Sequence, residues 1–266
     1  MLYWPVITAV WNVDPCVIYP LRGVQYFSTH PALWGNLLLL AVPQLTLMTA
    51  VIAVAFAFLY PAQAVLAFLL NGPAGIVASF IGMFQQSMSI VRSISELFLF
   101  PKPLRILFDG VLVQEGMDSL ILTGRMQAPA SFEQSDYHRV MSWIKALPRK
   151  LVFPTWLVMV LLRFFLSFIP VIGPIVLVVL DGPATAARCL GRYFDLKGWN
   201  DTQIEAFVAQ NRWKFHAFGL LAAALESVPF IGFAFAFTNT IGGALWAVRL
   251  EREYAAYAFR GRRLRK

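Results

Sequence analysis

The chain is a succession of long apolar blocks separated by shorter charged stretches. Residues 23–91 contain no Asp, Glu, Lys or Arg, and only His30 among them can take up a proton. A helix or strand of a soluble domain normally returns to water far sooner than this and marks the return with charged side chains. Because a bilayer core about 30 Å thick takes about 20 apolar residues per helical crossing, this stretch could supply two crossings and a turn. The pattern predicts an integral membrane protein.

The first two apolar blocks are predicted to form a long helical pair over residues 33–91. The first block runs to Tyr60 and contains Pro43, which removes a helical hydrogen bond and predicts a kink. Tyr60-Pro61 is expected to mark a boundary. The second block, 62–91, holds the turn signal Asn71-Gly72-Pro73, so it is either a broken helix or a short arm followed by a longer one. The pattern leaves open whether each block spans the membrane or loops back.

The third and fourth blocks, 151–181 and 215–250, share an internal motif. Ile169-Pro-Val-Ile-Gly173 and Val228-Pro-Phe-Ile-Gly232 are both an aliphatic residue followed by Pro-x-Ile-Gly. Proline lacks a backbone donor and glycine permits positive φ, so each motif predicts a chain reversal inside apolar sequence. Two short arms around a reversal would form a hairpin that enters one leaflet and returns; the alternative is a pair of kinked spanning helices. The predicted hairpin tips are Pro170, Gly173, Pro229 and Gly232.

Charge is concentrated in the connections, and each substantial one is net positive. The central region 92–150, the segment 182–214 and the basic tail 251–266 all carry more Lys and Arg than Asp and Glu. Under the positive-inside rule these segments and the C-terminus face the cytosol. The net charge of +8 flanks apolar segments, which indicates anionic lipid headgroups as partners and argues against nucleic acid. In the segment 182–214, Asn200 to Gln203 has the character of a capping box that opens a surface helix.

Signatures of chemistry are missing from the sequence. There is no nucleotide-binding glycine loop, metalloprotease motif, nucleophile elbow or EF-hand. His30, His138 and His216 lie in different segments, and Cys16 and Cys189 have no nearby metal-ligand partners. We therefore expect no enzyme activity, no cofactor and no metal. A lipid-modifying enzyme is retained as a third hypothesis only because the central region is unassigned.

Two charges lie inside apolar blocks, where charged groups are costly and tend to be paired or functional. Arg163 precedes the Pro170 reversal, and Glu226 precedes Pro229. One interpretation is an ion path, or an ion pair that links the two hairpins. The other is that Arg163 reaches the headgroups while Glu226 caps a broken helix by accepting backbone N–H groups; this second interpretation is favoured for both residues.

Several blocks of residues resemble a known family. The start of the first helix, with Pro20-Leu-Arg-Gly23, Phe27, Pro31-Ala-Leu-Trp34 and Pro43, is similar to the CysZ and etoposide-induced membrane protein superfamily. The resemblance is closer to its fungal branch, the outer-spore-wall and lipid-droplet proteins. That closer resemblance is carried by Arg192-Tyr-Phe-Asp-Leu-Lys-Gly-Trp199, Phe218-Gly219, Leu225-Glu-Ser-Val-Pro-Phe230 and Thr238-Asn-Thr-Ile-Gly-Gly-Ala-Leu-Trp-Ala247.

The resemblance implies an all-helical membrane fold with two long transmembrane helices and two hairpins that penetrate only partly. For function it implies two different roles. Bacterial members are sulfate permeases with a Gly-Leu-Arg sequence associated with sulfate, whereas the matching positions here are Gly23-Val24-Gln25 and lack the arginine. Fungal members are similar to proteins of lipid droplets, endoplasmic reticulum and the developing spore wall.

These observations lead to one main hypothesis and one alternative. The main hypothesis is a non-enzymatic hairpin membrane protein of fungal endoplasmic reticulum and lipid droplets that supports spore-wall or lipid deposition. Its partners would be a bilayer or droplet monolayer and anionic headgroups. The alternative is a sulfate-like anion channel or permease assembled as a homo-oligomer. Residues of that anion path would be Arg22, Gly23, Gln25, Arg163 and Asn239.

Overall fold

The computed structural model describes residues 15–127, 172–228 and 230–263, and its regular elements are all helical. Short 3-10 turns precede α1 and α2, and π-helical turns Ala55–Leu59 and Ser95–Leu99 follow α2 and α4. The all-helical prediction is confirmed for this part of the chain. The helices are α1 Tyr19–Thr29, α2 Trp34–Val54, α3 Tyr60–Asn71, α4 Pro73–Ile94, α5 Pro101–Gln114, α6 Asp118–Gln127, α7 Ile172–Cys189, α8 Gly191–Lys197, α9 Asp201–Gln210, α10 Arg212–Glu226 and α11 Gly232–Arg263.

The first 80 or so described residues are dominated by what we call the long helical pair, residues 34–71 and 73–99. Helix α2 continues through its π turn into α3, the chain reverses at Gly72 with φ +63°, and α4 returns along α3 and α2. Glycine suits this reversal because a left-handed φ is strained for other residues. Two helices, Pro31–Asn71 and Pro73–Leu99, are long and apolar enough to cross a membrane.

The predicted boundary at Tyr60-Pro61 is wrong, since the helix passes through it. The π turn ends at Leu59, two residues before Pro61, and the Tyr60 N–H donates to the Ala55 carbonyl, five residues back. This wider turn shifts the hydrogen-bond ladder at the point where proline cannot donate. The turn of the pair lies instead at Gly72, the second of the two signals in the sequence.

Helices also extend further into the charged regions than the sequence indicated. The π turn Ser95–Leu99 with helices α5 and α6 occupies the central region as far as Gln127, including the stretch 106–123 that sequence patterns left unassigned. Helix α7 continues past the predicted end of the third block to Cys189, with Pro183 inside it. The basic tail is helical to Arg263. These regions are connected to the apolar blocks by continuous helix, not by loops.

The remaining described helices pack into a C-terminal bundle, which we define as α1 and α7–α11 with α5 against it. Helix α7 packs against α10, and α11 packs against α1 and α5. Trp246 lies at the centre, with its ring centroid 5.2 Å from that of Phe215 and 5.4 Å from that of Phe218. All three side chains are buried, so the bundle has an aromatic core of its own.

The link between α10 and α11 is a tight reversal over residues 227–231. Phe230 has φ +64°, a conformation that L-residues rarely adopt. At Gly232 a Cβ atom would lie 2.2 Å from the Glu226 carbonyl oxygen, so only glycine fits. The predicted tip residue Pro229, like Pro170 and Arg163, lies outside the described residues. Gly173 falls in the first turn of α7.

Candidate functional site

The most distinctive polar feature of the described chain is an ion-pair cluster where the long helical pair meets the C-terminal bundle. We define the cluster as Arg92, Glu96, Arg188 and Glu226. Arg92 donates to Glu96 at 2.9 Å and to the Glu226 carboxylate at 2.8 Å, and Arg188 donates to the same two carboxylates. The Glu226 side chain is only 3% exposed. Each carboxylate is shared by two guanidinium groups, so the cluster is neutral and internally paired.

Helix ends explain the arrangement of these charges. Arg92 lies where α4 continues into the π turn Ser95–Leu99. Arg188 lies in the last turn of α7, where the negative end of the helix dipole favours a cation. Glu226 is the last residue of α10, where the same dipole disfavours an anion. Burial increases that cost, and the two arginines offset it.

Asn239 of α11 completes the surroundings of Glu226. Its side-chain amide donates to the Glu226 carboxylate and to the Ala222 carbonyl, both at 3.0 Å. These bonds connect α10 and α11 close to the reversal that links the two helices. Glu226 therefore interacts with side chains, so its observed role is ion pairing and not the backbone capping that the sequence favoured.

Two cavities adjoin the cluster. The larger, about 440 Å³, lies between α4, α7 and the α10–α11 reversal. The smaller, about 300 Å³, lies between α5, α7, α8 and α11 and is lined by Arg188 and Arg192. Three residues line both cavities: Glu96, Phe100 and Ala236.

A second set of polar contacts holds α8 in place. Arg192 makes a two-pronged pair with Asp109 of α5, at 2.8 and 2.7 Å. Tyr193 donates to Glu251 of α11 at 2.7 Å, and Lys197 pairs with the same carboxylate at 2.7 Å. Burial and the Glu251 contact raise the pKa of Tyr193, so its hydroxyl stays protonated. These contacts show how the Arg192–Trp199 block, one of the four that carry the fungal resemblance, packs in the structure.

Cys189 lies beside the cluster and is buried. Burial, reinforced by the nearby Glu226 charge, raises its pKa to about 12, although Arg188 and Arg92 act in the opposite direction. The thiol is therefore neutral at physiological pH and behaves as an apolar side chain.

Among the residues predicted for an anion path, those that the structure describes lie in different surroundings. Gly23 is buried against α11, where a Cβ would lie 1.9 Å from the Thr238 carbonyl oxygen. Gln25 is exposed on α1, and the Arg22 guanidinium lies 5.3 Å from the centroid of the Tyr19 ring. Of the predicted residues, Asn239 and Glu226 are the two that meet at the cluster.

Three residues of the cluster were not singled out from the sequence. Arg92, Glu96 and Arg188 were visible only as charges bounding apolar runs, and their partners are up to 134 positions away. A sequence signal did exist, since Arg92 is the charge that ends the long uncharged stretch. Its pairing with Glu226 needed the packing of α4 against the reversal.

Residues 19–236 match the family described as sulfate transporter CysZ/etoposide-induced protein 2.4. The chain belongs to this family. Among curated relatives, the outer spore wall protein RRT8 of Saccharomyces cerevisiae is 28% identical over 244 residues, which cover 88% of this chain and 71% of that protein. The outer spore wall protein LDS1 of the same yeast is 25% identical over 232 residues, covering 86% and 69%. No solved structure gives a significant match. The family was predicted from the sequence and is confirmed, and the two relatives are fungal proteins, as the predicted resemblance to the fungal branch implies.

Proposed function

We propose that the chain is a non-enzymatic membrane protein whose long helical pair inserts as a hairpin from the cytosolic face of endoplasmic reticulum and lipid droplets. The observation that carries this proposal is the absence of charge over residues 23–91, combined with the outward apolar side chains of the pair. Leu39, Val42, Phe58, Leu69 and Leu70 are each at least 70% exposed. Side chains of this kind are stable in lipid and not in water.

The uncharged part of the second arm has the length of one hydrocarbon core. From Gly72 to Arg92 the chain rises 20 residues, about 30 Å at 1.5 Å per residue, which equals the roughly 30 Å of a bilayer interior. The reversal at Asn71-Gly72-Pro73 has no charge. An uncharged tip can remain in oil, so the same pair suits a droplet monolayer as well as a bilayer.

The α10–α11 reversal supports a second, shallower hairpin. The Phe230 ring packs on Phe84, with centroids 5.6 Å apart. Phe84 is 12 residues from Gly72, about 18 Å along the helix, so this reversal reaches only part of the way toward the tip of the pair. Val228, Phe230 and Ile231 are exposed around it, as expected of a loop that contacts lipid.

The charged end of the molecule supports a cytosolic headgroup contact. Arg249 and Arg252 lie on α11, whose chain continues to the basic sequence Arg260-Gly-Arg-Arg-Leu-Arg-Lys. Each such cation near an anionic membrane surface contributes about 1 kcal/mol. Because the relatives are yeast outer spore wall proteins, we propose that the hairpins hold the protein where lipid or spore-wall material is deposited.

The proposal is tested by imaging the tagged full chain in yeast cells loaded with fatty acid, beside a droplet dye and an endoplasmic reticulum marker. Rings around droplets are the expected result, because every inserted segment would then be a hairpin. Exclusion from droplets, with the protein confined to bilayers, would overturn the droplet assignment and require at least one segment with polar ends on both sides.

Anion permeation is a second candidate function. It is favoured by the two adjoining cavities, since Arg92 lines the larger one and Arg188 lines the smaller one, and by the name of the family. Against it, both arginines are already paired with carboxylates. Sulfate uptake into proteoliposomes containing the purified oligomer or monomer tests it: uptake that Arg92→Gln abolishes would support permeation, and uptake no faster than in empty liposomes would exclude it.

A further inference from the structure

The larger cavity changes from uncharged to charged along its length. On α4 and the π turn that follows it, the lining passes from Phe84, Gln85, Met88 and Ser89 to Arg92 and Glu96. Phe84 is two helical turns closer to the Gly72 tip than Arg92, about 12 Å at 1.5 Å per residue. At the uncharged, more apolar end Phe230 packs against Phe84, and at the polar end Arg92, Glu96 and Glu226 of the ion-pair cluster line the cavity.

The other walls repeat this gradient. Helix α7 contributes Leu177 and Val178 before Asp181, in the direction that leads to Arg188. Buried Gln44 of α2 lines the polar end, where it accepts a hydrogen bond from Ser95 at 2.7 Å. A volume of about 440 Å³ lies within the range of about 300–1,000 Å³ that is typical of small-molecule sites.

The charges of the lining decide which polar group fits. Three carboxylates line this cavity, those of Glu96, Asp181 and Glu226, against the single guanidinium of Arg92. Arg92 already donates to two of those carboxylates. Arg188 donates to the same two carboxylates from outside this lining, so an anionic group would have to compete with Glu96 and Glu226 for both arginines. Hydroxyl groups can instead donate to carboxylate oxygens and accept from side-chain amides.

We propose that this cavity binds a single-chain neutral lipid with a hydroxylated head, of the monoacylglycerol class. The acyl chain lies between Phe84, Met88 and Phe233, and the head contacts Glu226 and Gln44. The inference rests on the proposed membrane insertion, because the gradient then runs in the same direction as a lipid of the cytosolic leaflet, with its tail toward the membrane centre. The protein would thereby present or sequester one lipid, in addition to anchoring itself.

The test uses the purified full chain in detergent and two photoactivatable probes of equal chain length, a diazirine monoacylglycerol and a diazirine fatty acid. Met88→Trp fills the cavity. Ile90→Trp is the matched control, since Ile90 lies on the same helix, does not line the cavity and is 45% exposed. We expect the monoacylglycerol to label the native chain and Ile90→Trp equally, and Met88→Trp about tenfold less, the equivalent of about 1.4 kcal/mol.

Two further controls separate selectivity for the head group from any effect of the substitutions on folding. The fatty acid is expected to label the native chain about tenfold less than the monoacylglycerol, and excess unlabelled monoacylglycerol should block labelling of the native chain without any substitution. Equal labelling by both probes, or labelling unaffected by the competitor, would overturn the inference. Droplet rings in cells together with absent labelling would reject this lipid site alone, while exclusion from droplets with competable labelling would reject the proposed location alone.

Discussion

Glu226 combines three conditions that are unfavourable for a carboxylate: burial, an apolar segment and the C-terminal end of a helix. Its side chain is 3% exposed and is stabilised by Arg92, Arg188 and Asn239. The two arginines are themselves about one-third exposed, so they retain contact with solvent if the carboxylate is lost. The stability of the cluster therefore depends chiefly on the partner that is buried.

Replacing Glu226 by glutamine keeps the shape of the side chain and removes its charge. We expect Glu226→Gln to lower the free energy of unfolding by about 1–3 kcal/mol, the range for a charged hydrogen bond left without its partner. Glu253→Gln is the matched control, because its pair with Arg249 is 45% and 44% exposed and should change stability by at most about 0.5 kcal/mol. Thermal unfolding in detergent measures both, and equal losses for the two variants would contradict the structural role of Glu226.

The thiol of Cys189 gives a pH-dependent prediction. Burial raises its pKa from 9.0 to about 12, so the folded state binds the thiol proton more tightly than the unfolded state. The stabilisation is complete below about pH 9 and is lost as pH rises toward 12. In the folded Cys16→Ser variant, we expect the rate at which a maleimide labels Cys189 to be still increasing with pH at about pH 10.5. A thiol of pKa 9.0 would have reached its maximum labelling rate by that pH. A labelling rate that stops rising before about pH 10.5 would show that the Cys189 thiol is not held neutral.

Single residues were only partly predictable from the sequence. The capping box at Asn200 and Gln203 was recognised because both partners are local, and it is confirmed: Asn200 accepts from the Gln203 N–H at 2.9 Å, and Gln203 accepts from the Asn200 N–H at 3.0 Å. Glu226 was recognised as a charge out of place. Its partners were not, because Arg92 and Arg188 approach it only through packing between distant helices.

At the scale of helices, close packing of α7 on α10 depends on two facing glycines. A Cβ at Gly219 would lie 1.8 Å from the Gly182 carbonyl oxygen, closer than any side chain can approach. This contact allows the two backbones to touch, in the way that small residues allow helices to associate in membranes.

Substitution of Gly219 by alanine should force α7 away from α10. We expect Gly219→Ala to destabilise the protein by about 1–3 kcal/mol, the usual cost of overpacking. Gly35→Ala is the control, because no atom lies within 4 Å of a Cβ there and alanine in a helix should stabilise by about 0.5–1 kcal/mol. Opposite shifts in melting temperature are predicted; a neutral Gly219→Ala would mean that the two helices are not in backbone contact.

Helix ends were less predictable than helix existence. Two candidate turns are visible in the sequence of the long pair. The chain turns at Asn71-Gly72-Pro73, because Gly72 can adopt φ +63° while the π turn accommodates Pro61 within a helix. Charge predicts loops because it marks contact with water. Helices α5, α7 and α11 instead carry their charges into ion pairs within the bundle, which hydropathy cannot distinguish from solvent exposure.

In the part of the molecule that the structure describes, a mostly uncharged helical pair is joined to a charged bundle. Val65 on α3 and Ile106 on α5 have nearly equal exposure, 62% and 63%. They differ in position, since Val65 lies within the uncharged stretch and Ile106 lies between charged residues beyond Arg92. A lysine at each position therefore tests the environment and not the degree of exposure.

We expect Val65→Lys to reduce the droplet-bound fraction strongly, because a lysine near the centre of a membrane helix costs about 2.5–3.5 kcal/mol. Ile106→Lys should leave localisation unchanged, as it adds one cation to a surface that already carries several. Quantitative imaging of the two tagged variants in the same fatty-acid-loaded cells measures the difference. Similar localisation of the two would indicate that the pair does not enter the lipid.

Insertion of the long pair is the central claim, and spin-label depth measurement tests it most directly. Chains with both native cysteines replaced would carry one label, through Val65→Cys or Ile106→Cys, and be reconstituted into liposomes. The account predicts that the label at position 65 collides with oxygen and is shielded from a water-soluble nickel chelate, while the label at position 106 shows the opposite. Equal access of the nickel chelate to both labels would contradict insertion and, with it, the proposed function.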